Sequence, residues 1–163
     1  FCAQAALPSA ASVLALDLDP SRLSIAERIG AIPVDVSARN AQTAVDEHTQ
    51  GRGADVVIEA VGTPAAFERS VDIVRRGGTV VVMGVYTSEV VQAQIGVWWV
   101  RALQIRFAGT TPVHAWWKHA MAEVEAGRLD PLPIVSHRLP LDEAAHGYEL
   151  FDTKQATKVL LTP

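Results

Sequence analysis

Asp17 and Arg22 are the residues whose chemistry is most directly readable in this sequence. Asp17 closes an apolar run, Val13-Leu14-Ala15-Leu16, of the kind that forms a strand buried on both faces. A carboxylate at the carboxyl end of a parallel strand can accept two hydrogen bonds from the vicinal hydroxyls of an adenosine ribose. The same charge repels a 2′-phosphate, which favours NAD over NADP. Arg22 follows Asp19-Pro20-Ser21 and comes one helical turn beyond the acid, within reach of the same ribose. Taken alone, Asp17 is more simply read as the end of a strand and the start of a turn, a place that Asp often occupies, and Arg22 raises the functional reading.

Gly62 and Gly84 stand at the ends of two further apolar runs, 55–60 and 79–84. Glycine there lets a planar ring or a ribose approach the backbone, although an ordinary strand-to-helix turn also favours it. Glu59, at the end of its apolar run, is read as a hydrogen-bonding partner of the neighbouring turns rather than a catalytic acid. The histidines His48, His114, His119, His137 and His146 have no cysteine or acidic partner at metal-ligand spacing. His114 and His119 are five apart, not the four of a helical zinc site. The lone Cys2 excludes an internal disulfide framework and a multi-cysteine zinc site.

These positions depend on an alternation of elements. Strands are expected at 13–18, 32–36, 55–60, 79–84, 103–108, 135–139 and 157–161. Helices are expected from Pro20 to Gly30, after Asn40, from Thr63-Pro64 to the stop at Gly77-Gly78, from Thr111-Pro112 to Gly127, and over 142–152. Pro8 shortens the apolar helix that opens the chain. Such alternation implies right-handed βαβ crossovers and an α/β fold with a doubly wound parallel sheet. Trp116 and Trp117 fall on an apolar helical face and are expected in the core. If 97–100 is strand-like, Trp98 and Trp99 face opposite sides and at least one is exposed, a plausible dimer contact.

The composition is that of one domain: 163 residues, 49% apolar, and a net charge of −4 from 14 basic and 18 acidic residues spread without blocks. Neither a nucleic-acid footprint nor a polybasic membrane surface is indicated. No apolar stretch reaches the roughly 20 residues that span a bilayer. A reducing, cytoplasmic setting is the expectation.

Four stretches follow one another in an order that is more specific than any of them singly. They are Val13-Leu-Ala-Leu-Asp-Leu-Asp-Pro-Ser-Arg22, Gly51-Arg-Gly-Ala-Asp-Val-Val-Ile-Glu-Ala-Val-Gly62, Gly77-Gly-Thr-Val-Val-Val-Met-Gly84 and Ser136-His-Arg-Leu-Pro-Leu-Asp-Glu-Ala144. Together they resemble the C-terminal, cofactor-binding half of the zinc-dependent medium-chain alcohol dehydrogenases, over nearly the whole chain. The resemblance implies a partial Rossmann-like NAD(P)-binding domain over 1–127, lacking its first, central strand, and a strand-helix-strand return segment of the catalytic domain over 128–163. It implies hydride transfer between a small alcohol and the nicotinamide, giving an aldehyde or ketone. It also implies a homodimer or homotetramer for the full-length enzyme, paired through 97–108.

In residue terms, Asp17 matches the ribose-binding acid and Arg22 the basic residue beside it. Ala60, Val61 and Gly62 match the turn on the adenine side. Gly84 and Val85 match backbone near the nicotinamide, as do Ala108, Gly109 and Thr110. Lys158 matches a basic residue that reaches the pyrophosphate. The resemblance implies zinc ligands in an N-terminal catalytic domain, and the glycine-rich turn would lie before Phe1, because only 16 residues, none of them glycine, precede Asp17. On this reading the isolated chain is inactive and of marginal stability, with unpaired strand edges where the central strand would run. Other readings are a non-catalytic nucleotide-binding module, a zinc-free quinone-reductase-type relative that prefers NADP, and a methyltransferase holding a ribose on Asp17.

Overall fold

The computed structural model describes residues 1–87 and 90–163. Its elements are α1 (Cys2–Ala6), β1 (Leu14–Asp17), α2 (Pro20–Arg28), β2 (Ile32–Asp35), α3 (Ala41–Thr49), β3 (Ala54–Glu59), α4 (Pro64–Ile73) and β4 (Val74–Val82). They continue with α5 (Ile95–Val100), β5 (Gln104–Phe107), α6 (Val113–Glu125), β6 (His137–Pro140), α7 (Ala144–Asp152) and β7 (Val159–Thr162). Side-chain caps fix three helix starts. Asp19 accepts from the Ser21 amide at 2.8 Å, Asn40 from Thr43 at 3.1 Å and Thr63 from Ala66 at 3.3 Å. Pro20 and Pro64 take the first helical position, where a missing N–H costs nothing. α1 ends two residues before Pro8.

Every strand pairing is parallel, as the alternation of strands and helices requires. β1 pairs with β2, β4 lies between β3 and β5, and β6 pairs with β7. The 3-2 and 4-5-6 portions of a doubly wound sheet are thus both present, with no strand between β1 and β3 among the described residues. A helical layer bridges that interval. Ala41 and Val45 of α3 and Ile73 of α4 form one buried cluster, packed against Leu14 and Leu16 of β1 and Val57 of β3. A second cluster holds Phe67, Val71, Val74, Val80 and Val82, and its rim includes Trp98, Leu103 and Ile105. The other face of β3 is uncovered, with Val56 and Ile58 56% and 38% exposed.

Three expectations are corrected. The helix opened by Thr63 stops at Ile73, not at Gly77-Gly78, and the chain turns directly into β4. The Arg101 guanidinium explains the early stop: it donates to the carbonyls of Val71, Asp72 and Val74, which would otherwise need further helical amides. Residues 95–100 are helical rather than strand-like, so Trp98 and Trp99 diverge by helical rotation. Trp98 packs edge-on to Phe67 at 5.8 Å, whereas Trp99 is 81% exposed. Trp116 and Trp117 are exposed, not core, because no other element covers that face of α6 among the described residues. No described helix is long and apolar enough to cross a membrane.

Candidate functional site

Asp17 sits on the last position of β1, and its carboxylate is already half committed. Oδ1 accepts from the amides of Leu18 at 2.7 Å and Asp19 at 3.0 Å, closing the turn into α2. Oδ2 faces the Arg22 guanidinium at 3.8 Å. Arg22 also lies 3.7 Å from Asp19, which caps the same helix. The first turn of α2 therefore brings Asp17 and Arg22 together as expected, and Oδ2 accepts no hydrogen bond among the described residues. The Ser21 hydroxyl and amide hold the Asp19 carboxyl below the usual carboxylate range.

The turns after β3 and β4 interlock. The amides of Met83 and Gly84 both donate to the Glu59 carbonyl, at 2.8 and 3.0 Å. Glu59 is 2% exposed, and its Oε1 accepts from the amides of Val61 at 2.7 Å and Gly62 at 2.9 Å. Its Oε2 accepts from the Tyr86 hydroxyl at 3.0 Å, and the same phenol lies 3.1 Å from the Thr63 carbonyl. Glu59 thus has the role expected of it. Gly62, at φ +86°, is brought against Gly84 and Val85, and Ala60 and Val61 precede it in the same turn. Tyr86 is the residue that sequence reasoning missed. Its position two residues beyond Gly84 was the available signal, and only the fold shows that it returns to Glu59.

Ala108 continues the register of β5, donating to the Val82 carbonyl at 2.9 Å, and Gly109 follows at φ +61°. Thr110 comes next in the same connection to α6. These residues stand one strand beyond Gly84. Lys158 is exposed just before β7, and its backbone carbonyl accepts from the amides of Ser136 and His137. The preceding residues Lys154, Gln155 and Thr157 line a cavity of about 280 Å³ with Asp19, Ser21 and Arg22, so the tail lies against the start of α2. A larger cavity, about 410 Å³, lies near Gln4, Arg28 and Arg128 and holds none of the strand-end residues. No group of three potential metal ligands occurs among the described residues, and Cys2 is a free thiol.

Strand-end acid, paired glycine turns and parallel topology all belong to one pattern, and a zinc-binding dehydrogenase family model matches residues 1–126. The chain belongs to that family. Its relatives in the zinc-binding dehydrogenase family include the probable zinc-binding alcohol dehydrogenase of Mycobacterium tuberculosis, 39% identical over 139 residues, with 85% of this chain and 35% of that protein covered. An alcohol dehydrogenase from Thermus sp. ATN1 superposes with a TM-score of 0.91 at 39% identity, covering 98% of this chain and 46% of its own. A zinc-binding dehydrogenase from Sinorhizobium meliloti 1021, solved with NADP, gives a TM-score of 0.85 at 28% identity over 99% of this chain and 48% of its own. The chain spans half or less of these relatives' length. The zinc of the family's name finds no ligand set in the described residues.

Proposed function

We propose that this chain is the dinucleotide-binding part of an NAD-dependent alcohol dehydrogenase. Asp17, Arg22, residues 60–62, Gly84, Val85, residues 108–110 and Lys158 would hold the cofactor. The observation that carries the reading is the Asp17 carboxylate, anchored through Oδ1 by two amides with Oδ2 turned toward Arg22. An anchored carboxylate loses little freedom on accepting ribose hydroxyls, and its charge disfavours a 2′-phosphate. The bound nicotinamide would supply the hydride chemistry, exchanging hydride with a small alcohol, aldehyde or ketone. This chain's own residues bind and orient.

A division at 127/128 is supported by the family match over residues 1–126 and by β6 and β7 forming their own two-stranded sheet. Pairing into a homodimer or homotetramer is supported by exposed Ile95, Trp99 and Val100 on α5, beside β5. The free thiol of Cys2 suits a reducing, cytoplasmic setting. The quinone-reductase-type alternative would prefer NADP, which the placement of Asp17 opposes. Titration with NADH and NADPH of the chain joined to the N-terminal half of the Thermus enzyme tests the assignment. Tighter binding of NADH by about tenfold is expected. Equal or tighter binding of NADPH overturns the role of Asp17. Joining the chain to the N-terminal half of the Thermus enzyme and assaying alcohol oxidation tests the activity, and zinc-loaded chimeras that bind NAD without turnover favour a binding module.

A further inference from the structure

We propose that Tyr86, anchored on Glu59, is a positioning residue for the nicotinamide end of the cofactor, an inference that rests on the strand ends being the cofactor site. Glu59 is a buried carboxylate whose hydrogen bonds come from two amides and a phenol, with no cationic partner among the described residues. A carboxylate so deeply buried is costly unless its oxygens are satisfied, and an apolar side chain would fill the site without that cost. What the carboxylate adds is direction. One oxygen fixes the turn at Val61 and Gly62, and the other reaches Tyr86 beyond the neighbouring strand.

The backbone leaves little slack for an alternative arrangement. A Cβ on Gly62 would lie 2.6 Å from the Val85 carbonyl oxygen and 2.9 Å from the Val85 nitrogen. The two turns therefore approach closely, and Tyr86 locks the second one by sharing its single proton between Glu59 Oε2 and the Thr63 carbonyl. Removing the phenol oxygen frees the segment at Gly84 and Val85 without touching Asp17 or α2. The Asp17 region is held by hydrogen bonds of its own, and the phenol adds its hold on the Gly84 side alone, whereas Glu59 also holds the turn at Val61 and Gly62.

The test compares two ligands on the chain joined to the N-terminal half of the Thermus enzyme: NADH, which spans both ends, and ADP-ribose, which lacks the nicotinamide. Tyr86→Phe is expected to weaken NADH about five- to tenfold, as one lost hydrogen bond implies, and to leave ADP-ribose within about twofold. Glu59→Gln, which disturbs the turn at Val61 and Gly62 as well as the Tyr86 contact, should weaken NADH and ADP-ribose alike. Circular dichroism melts of each variant identify any general loss of folding. A wild-type chimera that binds both ligands, with a Tyr86→Phe form that loses neither or loses both equally, overturns the positioning role. A folded wild-type chimera that binds neither ligand overturns the cofactor assignment, and the positioning role with it.

Discussion

Gly62 and Gly84 are in backbone contact across two strands: a Cβ on Gly84 would lie 2.2 Å from the Gly62 amide nitrogen and 2.6 Å from Glu59 Oε2. Both obstacles are fixed, one by the main chain and the other by its hydrogen bonds. Gly84→Ala should therefore push the turns apart and destabilise the fold by about 1–3 kcal/mol, the range for overpacking. Urea unfolding measures it. An unchanged midpoint would show that the two turns can separate at no cost.

Asp17→Gly removes both the turn closure at Leu18 and Asp19 and the charge that faces Arg22. NADH binding should weaken by about 1–3 kcal/mol, the order for losing a charged acceptor. NADPH should lose less, because Arg22 is then free to meet a 2′-phosphate. Parallel titrations with both cofactors check the difference.

The Tyr86 hydroxyl is pushed up to about 12, first by burial and then by its hydrogen bond to Glu59. A raised value means that the folded state holds the proton more tightly than the unfolded chain, whose phenol ionises near 10. The stabilisation is complete below pH 10 and is lost as pH rises toward 12. The unfolding midpoint should fall across that window in the wild type and less steeply in Tyr86→Phe. Equal slopes would remove the phenol from the account.

Arg101 donates to three carbonyls at the end of α4 and in the following residue, from 2.5 to 3.3 Å. Arg101→Met should cost about 1.5–3 kcal/mol, because charge-assisted hydrogen bonds are lost and carbonyls are left poorly satisfied. Hydrogen exchange should then rise at residues 71–78. Local exchange that stays at the wild-type level would count against the cap.

Between β1 and β3 no strand intervenes among the described residues, so two strand edges lack partners. The chain alone should melt broadly and self-associate. Sedimentation and scanning calorimetry decide this. A sharp two-state transition in a monodisperse monomer would show that the helical layer over the interval suffices.

The parallel alternation, the three capped helix starts and the closeness of Asp17 to Arg22 were legible because each depends on neighbours within a few residues. The stop at Ile73 was not legible. Gly77-Gly78 offered a good local signal, but Arg101, some thirty residues away, satisfies the helix end earlier. Trp116 and Trp117 misled for a related reason: an apolar helical stripe says that a face seeks cover, not whether the described chain provides it. The link between Tyr86 and Glu59 escaped because it joins residues 27 apart across a strand pairing. Contacts of that range depend on register, which periodicity does not report.

The uncovered face of β3 has a practical consequence for any stability assay. Val56 and Ile58 offer apolar surface while the protein is folded. A fluorescent dye that reports exposed hydrocarbon should already be bright with the native chain. Heating would then raise the signal from a high baseline, compressing the transition. In a thermal-shift screen a ligand that covers this face would register as a fall in starting fluorescence before it registered as a higher melting temperature.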